Sequence, residues 1–126
     1  MMDYEADAVR QWASSAHGFF PLVSETQALI TQMATAGAVD GLALAAQHLI
    51  SIVTLIEQRV GPPPNEIMAN HFVRWVHLEK QLGEETLRAA RTTGDLGPAG
   101  ELALEVAAEM RAMTRMQQDF NRRAGR

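Results

Sequence analysis

Cysteine is absent from the 126-residue chain. Disulfide bridges, thiolate metal sites and thiol nucleophiles are therefore excluded together. A chain of this length fits one domain, which we place at residues 1–126, and it can bury enough surface to fold without cross-links. Because a chain without cysteine is compatible with a reducing compartment, we expect a cytoplasmic protein.

Strand patterns are also missing, since no run of Val, Ile, Thr and aromatic residues alternates with polar residues between turn residues. Apolar residues instead recur at helical spacing along nearly the whole chain. Segments that favour turns interrupt this spacing at Gly37, at residues 61–65 and at residues 92–100. The sequence therefore predicts an all-α fold, an antiparallel four-helix bundle with short loops.

The first arm of this bundle is predicted to bend or split between Gly18 and Pro21, which gives four or five helices. Gly18 is a candidate C-cap, and Ser24 and Gln27 have the spacing of a capping box that would start a new helix. The apolar phase nevertheless continues through Val23, as one kinked helix would require. We favour a break or a sharp bend over one continuous helix.

Long apolar runs are rare in this sequence. The most apolar stretch, residues 42–56, falls short of a membrane span because polar residues interrupt it, namely Gln47, His48, Ser51 and Thr54. The first ten residues carry three acidic residues before the first arginine, which is not the order of a secretory signal. We expect neither a membrane span nor a signal peptide.

Basic residues are too few for a general nucleic-acid-binding protein. The formal net charge is -4, whereas affinity for nucleic acids depends on neutralising phosphates. Ten of the eleven basic residues are arginine and 20 residues are alanine, a composition that suits a GC-rich bacterial genome. Nucleic acid is therefore not the expected partner.

The most apolar predicted helix spans residues 41–60, and its polar positions form one narrow stripe: Gln47, Ser51, Thr54 and Gln58. A helix that is apolar nearly all round must be covered nearly all round, so it is either central or shared between subunits. We therefore predict a non-enzymatic interaction module that self-associates through this helix as a dimer, with another protein as the alternative partner. The predicted interface residues are Leu42, Leu49, Ile52, Leu55 and Ile56.

The stretch HFVRWVHLEK, residues 71–80, brings together residue types that are common in active sites. On a helix, His71 and His77 lie roughly 120° apart around the axis and roughly 9 Å apart along it. Glu79 lies roughly 12 Å along the axis from His71, too far for a hydrogen bond or a shared metal. We therefore predict that Trp75 is a packing anchor with His71 and Glu79 at the margins of its stripe. Any chemistry here would need a partner residue from another helix.

Catalytic and metal-binding motifs are not found in the sequence. No histidine has a second metal ligand three or four residues away, the spacing that brings two side chains together on a helix. There is no nucleophile elbow of the GxSxG type and no glycine-rich phosphate loop. We predict no catalytic residue, no metal site and no cofactor.

Two alternative functions are kept. The first is a bundle that binds a small apolar ligand or a cofactor in a pocket near His71, Trp75, Glu79 and Met113. Met113 supports it because methionines line adaptable grooves, although they fill irregular cores more often.

The second alternative is binding of an acidic partner or nucleic acid through a basic patch at the end of the last helix, made of Arg111, Arg115, Arg122, Arg123 and Arg126. Cations near a helix C-terminus are also favoured by the helix dipole, which explains the same pattern without a partner.

Overall fold

The computed structural model describes residues 3–92 and 94–125. Within these residues the chain forms helices and no strand, which confirms the predicted all-α bundle. The helices are α1 (Tyr4–Ala16), α2 (Phe20–Ala36), α3 (Val39–Arg59), α4 (Glu66–Arg91) and α5 (Gly97–Ala124).

The loops lie where glycine and proline predicted them. Gly37 ends α2 in the left-handed conformation, with φ 68°, and Gly61 follows α3 with φ 69°. Both positions favour glycine because a Cβ atom is strained there. Asn65 caps α4 by accepting a hydrogen bond from the backbone N–H of Met68 at 2.9 Å, and Pro98 lies in the first turn of α5.

The first arm is split, as predicted, into α1 and α2, which are separated by residues 17–19. The predicted capping box is wrong, however, because α2 begins at Phe20 and Ser24 lies inside it. Pro21 in the first turn starts the helix earlier, since proline is well accepted where no intrahelical N–H bond is made. The split lets the arm change partners, so that α1 packs on α5 and α2 packs on α3.

Polar contacts at both ends hold α1 in place. The indole N–H of Trp12 donates a hydrogen bond of 2.8 Å to the carbonyl oxygen of Gly61, in the loop after α3. At the other end, the Arg123 guanidinium donates to Asp3 at 2.7 Å and to Glu5 at 3.2 Å. The hydrogen bond from Arg123 is also the main reason that the pKa of Asp3 is lowered.

Helix α3 buries one face within the chain and keeps the other exposed, which corrects most of the predicted interface. It lies between α2 and α4, and these two helices cover the side chains that the sequence assigned to a second subunit. Four of the five predicted interface residues are buried inside the chain: Leu42, Leu49, Ile52 and Ile56. Only Leu55 keeps appreciable exposure, at 38%.

Among the described helices, α3 is also the one that is long and apolar enough to cross a membrane. Length and composition are weak evidence for a span, because the core helix of a soluble protein meets the same criterion. Since the buried face of α3 is packed against α2 and α4, a membrane span is not strongly indicated.

Helices α3 and α4 approach each other closely at Gly83 of α4, where a side chain would meet α3. A Cβ atom at this position would lie 2.5 Å from Cγ1 of Ile50 and 3.2 Å from the carbonyl oxygen of Ala46. Gly100 in α5 has open space around it and serves as a matched control.

We expect Gly83→Ala to lower the free energy of unfolding by about 1–2 kcal/mol, because overpacking outweighs the gain of about 1 kcal/mol in helix propensity. Gly100→Ala should raise the same quantity by up to about 1 kcal/mol. Urea denaturation of both variants checks this difference. Equal stabilisation of the chain by the two substitutions would contradict the close approach of α3 and α4.

Candidate functional site

A cleft opens between α2 and α5 because α2 packs on α3, whereas α1 packs on α5. Its volume is about 620 Å³, and we call it the α2/α5 cleft. Helix α4 forms its floor with Trp75, Leu82 and Thr86. The walls are mostly small or apolar side chains: Val23, Ser24, Gln27, Ile30, Thr31 and Ala34 from α2, and Ala99, Gly100, Ala103, Val106, Ala107 and Met110 from α5.

A second cavity of about 650 Å³ adjoins the α2/α5 cleft on the side of α1. The two cavities share Phe20, Ser24 and Met110, so they follow one face of α5. Met113 and Gln117 continue the lining along this face. A groove with a largely apolar lining therefore runs along α5 beneath the split arm.

Glu79 is completely buried in α4, which corrects its predicted place at the margin of the stripe. Spacings of four, three and four residues put Trp75, Glu79, Leu82 and Thr86 on one face of the helix, and the other three form the floor of the α2/α5 cleft. The amide of Gln27, on the α2 wall, donates a hydrogen bond of 2.5 Å to Oε1 of Glu79. The second carboxyl oxygen, Oε2, has no partner among the described residues.

Burial also changes the acidity of Glu79. Desolvation raises its pKa to about 7, and the hydrogen bond from Gln27 only partly opposes this shift. Near neutral pH the carboxyl group therefore exchanges between a neutral form that burial favours and an ionised form that lacks a counter-charge.

Thr86 is the second polar group of the floor without a partner. Within the described part of the chain, six other threonines donate their hydroxyl to the carbonyl oxygen four residues earlier: Thr26, Thr31, Thr35, Thr54, Thr92 and Thr114. Thr86 lies in a helix as well, yet its buried hydroxyl makes no hydrogen bond to any described residue. Buried polar atoms without a partner are uncommon, and Oε1 of Gln117 is a further example along the same groove.

Arg111 is the one charged side chain among the described residues that line the α2/α5 cleft. It is exposed at the rim, and none of the described residues forms an ion pair with it. Two ionisable groups are thus associated with this cleft: the exposed Arg111 guanidinium at the rim and the Glu79 carboxyl group beneath the floor.

The structure divides the pocket predicted near His71, Trp75, Glu79 and Met113. Trp75 is fully buried, as the packing anchor should be, and lines the α2/α5 cleft, whereas Glu79 lies beneath its floor. Met113 lines the adjoining cavity. His71 lines neither cavity, because it faces the outer side of the contact between α4 and α5.

His71 of α4 contacts an acidic residue of another helix, Glu109 of α5. Its Nδ1 lies 2.6 Å from Oε2 of Glu109 in α5, and Arg74 lies 3.2 Å from the other oxygen of the same carboxylate. Arg74 also lies 2.9 Å from Nδ1 of His71, so this ring nitrogen either donates to Glu109 or accepts from Arg74. The cluster joins α4 to α5 at a partly exposed position.

The predicted basic patch is partly neutralised by acidic neighbours. Arg122 pairs with Asp119, and Arg123 pairs with Asp3 and Glu5 while it lies over the Phe120 ring. Arg111 and Arg115 are exposed, and Arg126 lies outside the described residues.

Sequence reasoning missed Gln27 and Thr86 as members of the site. The regular spacing from Trp75 to Thr86 was a usable signal for the floor, since it places both polar residues on the stripe of Trp75. Gln27 gave no such signal, because it meets Glu79 across 52 positions of the chain.

Comparison with known proteins found no match: no family model fits the chain, and no curated protein or solved structure is significantly similar to it. Functional conclusions therefore depend on the geometry of the site.

The buried carboxyl group makes the stability of the protein depend on pH. The pKa of Glu79 is about 7 in the folded chain and about 4.5 in the unfolded chain, so the folded state binds more protons between these values. The contribution of Glu79 to the free energy of unfolding therefore falls as the pH rises from about 4.5 to about 7, and it stays low above that range.

We expect Glu79→Gln to be more stable than the natural chain by about 1–3 kcal/mol near pH 8, with a difference that shrinks towards pH 5. Glu84→Gln removes an exposed carboxylate from the same helix and should follow the natural chain at every pH. Urea denaturation across this pH range measures the effect. A constant difference between Glu79→Gln and the natural chain would contradict it.

Proposed function

We propose that the protein binds an apolar ligand in the α2/α5 cleft. The observation that carries this proposal is the combination of an apolar cavity with two buried polar atoms that have no partner among the described residues, Oγ1 of Thr86 in its lining and Oε2 of Glu79 beneath it. Ligand sites are typically apolar cavities with a few polar groups that orient the ligand.

The size of the cleft supports binding of a small molecule. Its volume of about 620 Å³ falls within the range of about 300–1,000 Å³ that is common for ligand pockets. The lining comes from three helices, so a ligand there would contact α2, α4 and α5 at once.

Helix α2 supports the proposal as a wall that can move. Only Val23 and Thr26 are buried in it, whereas Leu22 and Leu29 remain exposed. Segments with few buried contacts open at a lower free-energy cost than the core does. Entry of a ligand between α2 and α5 would therefore disturb little packing.

Filling the cleft tests this function. Ala103 is exposed and lines the α2/α5 cleft, whereas Ala108 is exposed on the opposite side of the same helix. A tryptophan at position 103 would occupy space between α2 and α5 without replacing a buried side chain.

We expect the natural chain to bind the neutral fluorescent probe N-phenyl-1-naphthylamine saturably with one probe per chain. Ala103→Trp should weaken this binding by about tenfold or more, since the indole fills the site, and Ala108→Trp should leave it unchanged. Probe fluorescence titration measures the affinities, and circular dichroism verifies that both variants are folded. No saturable binding, or equal binding by the two variants, would overturn the proposal.

Self-association is the second candidate function, and exposed leucines on α3 support it. Leu44 is 68% exposed and Leu55 is 38% exposed. A separation of eleven residues places them within about 20° of each other around the axis and about 16 Å apart along it. They are two exposed leucines on the outer face of α3, on either side of His48 and Ser51, that a second copy of the chain could cover.

We expect a dimer at micromolar concentration that the double variant Leu44→Glu with Leu55→Glu converts to a monomer, because two buried carboxylates would face an apolar surface. Leu104→Glu changes a similarly exposed leucine of α5 and should leave the dimer intact. Light scattering coupled to size exclusion measures the mass, and a natural chain that is monomeric would exclude this second function.

A further inference from the structure

We infer that the ligand of the α2/α5 cleft carries a protonated amine, which pairs with the carboxylate of Glu79 while its apolar body lies between α2 and α5. This inference rests on the proposed ligand-binding function and specifies the chemical class of the ligand.

Glu79 lies beneath the floor of the α2/α5 cleft and is not one of its lining residues. It is completely buried on the same face of α4 as the floor residues Trp75, Leu82 and Thr86. Gln27, which lines the α2 wall, donates to Oε1, so the inferred pairing requires this side chain to move aside. Oε2 is left as a hydrogen-bond acceptor without a donor among the described residues.

An ammonium group matches this acceptor because it has three donor hydrogens and no acceptor. Thr86 is too far away to bind the same group, since seven residues separate it from Glu79 by about 10 Å along α4. Recognition of the charge is therefore assigned to Glu79, and Thr86 remains available for the body of the ligand.

The described surroundings of Glu79 hold no counter-charge. The α2 group that faces it is the neutral Gln27, and the buried residues of α3 and α5 are all apolar. On its own helix, Lys80 pairs with Glu57 of α3, and Glu85 pairs with Arg88. The nearest charge on the cleft lining is Arg111 at the exposed rim.

Dielectric screening decides between an amine and a carboxylate as the head group. A carboxylate could pair only with Arg111, where solvent screens the interaction and exposed ion pairs contribute little. A cation beside Glu79 would instead neutralise a buried charge in surroundings of low dielectric, where the same Coulomb attraction is several times stronger. The amine is therefore favoured where this attraction exceeds the cost of removing the ammonium from water.

Three ligands with eight carbon atoms each test the head group: n-octylamine, 1-octanol and octanoate. Each ligand is titrated against N-phenyl-1-naphthylamine bound to the natural chain, and its displacement of the probe is measured near pH 8. At this pH Glu79 is largely ionised and the ammonium, with a pKa of about 10, is still charged. We expect octylamine to act at a concentration about tenfold or more below that of octanol, with octanoate weakest.

Two variants and a pH series test whether the preference for octylamine over octanol depends on Glu79. Glu79→Gln should lower the affinity for octylamine far more than that for octanol and so remove the preference, whereas Glu84→Gln, which loses the same charge at an exposed position, should keep it. Because the amine needs ionised Glu79, the affinity for octylamine should fall about tenfold per pH unit below about 7, and that for octanol should stay constant.

The outcomes separate this inference from the proposed function. Equal affinity for octylamine and octanol, with both lost in Ala103→Trp, would overturn the amine and leave the cleft as an apolar site. Tightest binding of octanoate that is lost in Arg111→Gln would overturn it in favour of an anionic ligand. If no ligand and no probe binds, the proposed function fails together with the inference.

Discussion

The break between α1 and α2 is the constraint on which the rest of the fold depends. Four aromatic rings meet there, with Trp12 against Phe72 at 5.8 Å and Phe20 against Trp75 at 5.3 Å between ring centroids. Edge-to-face and tilted contacts of this kind add to the burial of the rings. Because the cluster fixes the arm at the break, α1 can follow α5 while α2 diverges towards α3. The α2/α5 cleft is the space that this divergence leaves.

Glu79 works against the stability that the aromatic cluster provides. Apart from Thr86 the stripe of α4 is apolar, and an apolar side chain at position 79 would remove the desolvation penalty that raises the pKa of the carboxyl group. The hydrogen bond from Gln27 is also the polar link from α2 to α4, in a helix that buries few residues of its own. Ionisation of Glu79 and separation of α2 from α4 therefore favour each other, since both are easier when water can reach the carboxylate.

The boundaries of the helices and the stripe of Trp75 could be predicted because glycine, proline and helical spacing act locally. The burial of Glu79 could not, because it depends on Gln27 and on the apolar faces of two other helices. The same limit applies to His71, whose partner Glu109 comes from α5. The apolar character of α3 was also predictable from its composition. A sequence pattern cannot tell, however, whether Leu49 and Ile52 are covered by α2 and α4 or by a second subunit.

The contrast among the threonines argues that the polar groups of the cleft serve something other than packing. A buried threonine in a helix can satisfy its hydroxyl locally, as Thr26 does by donating to the carbonyl oxygen of Leu22 at 2.7 Å. Thr86 has the same backbone setting in α4 and leaves its hydroxyl without a partner. An apolar residue such as valine would fill this space without that cost. Thr86 and Glu79 each leave a buried polar atom without a partner among the described residues, on one face of α4, and this supports the proposal that a ligand binds in the α2/α5 cleft.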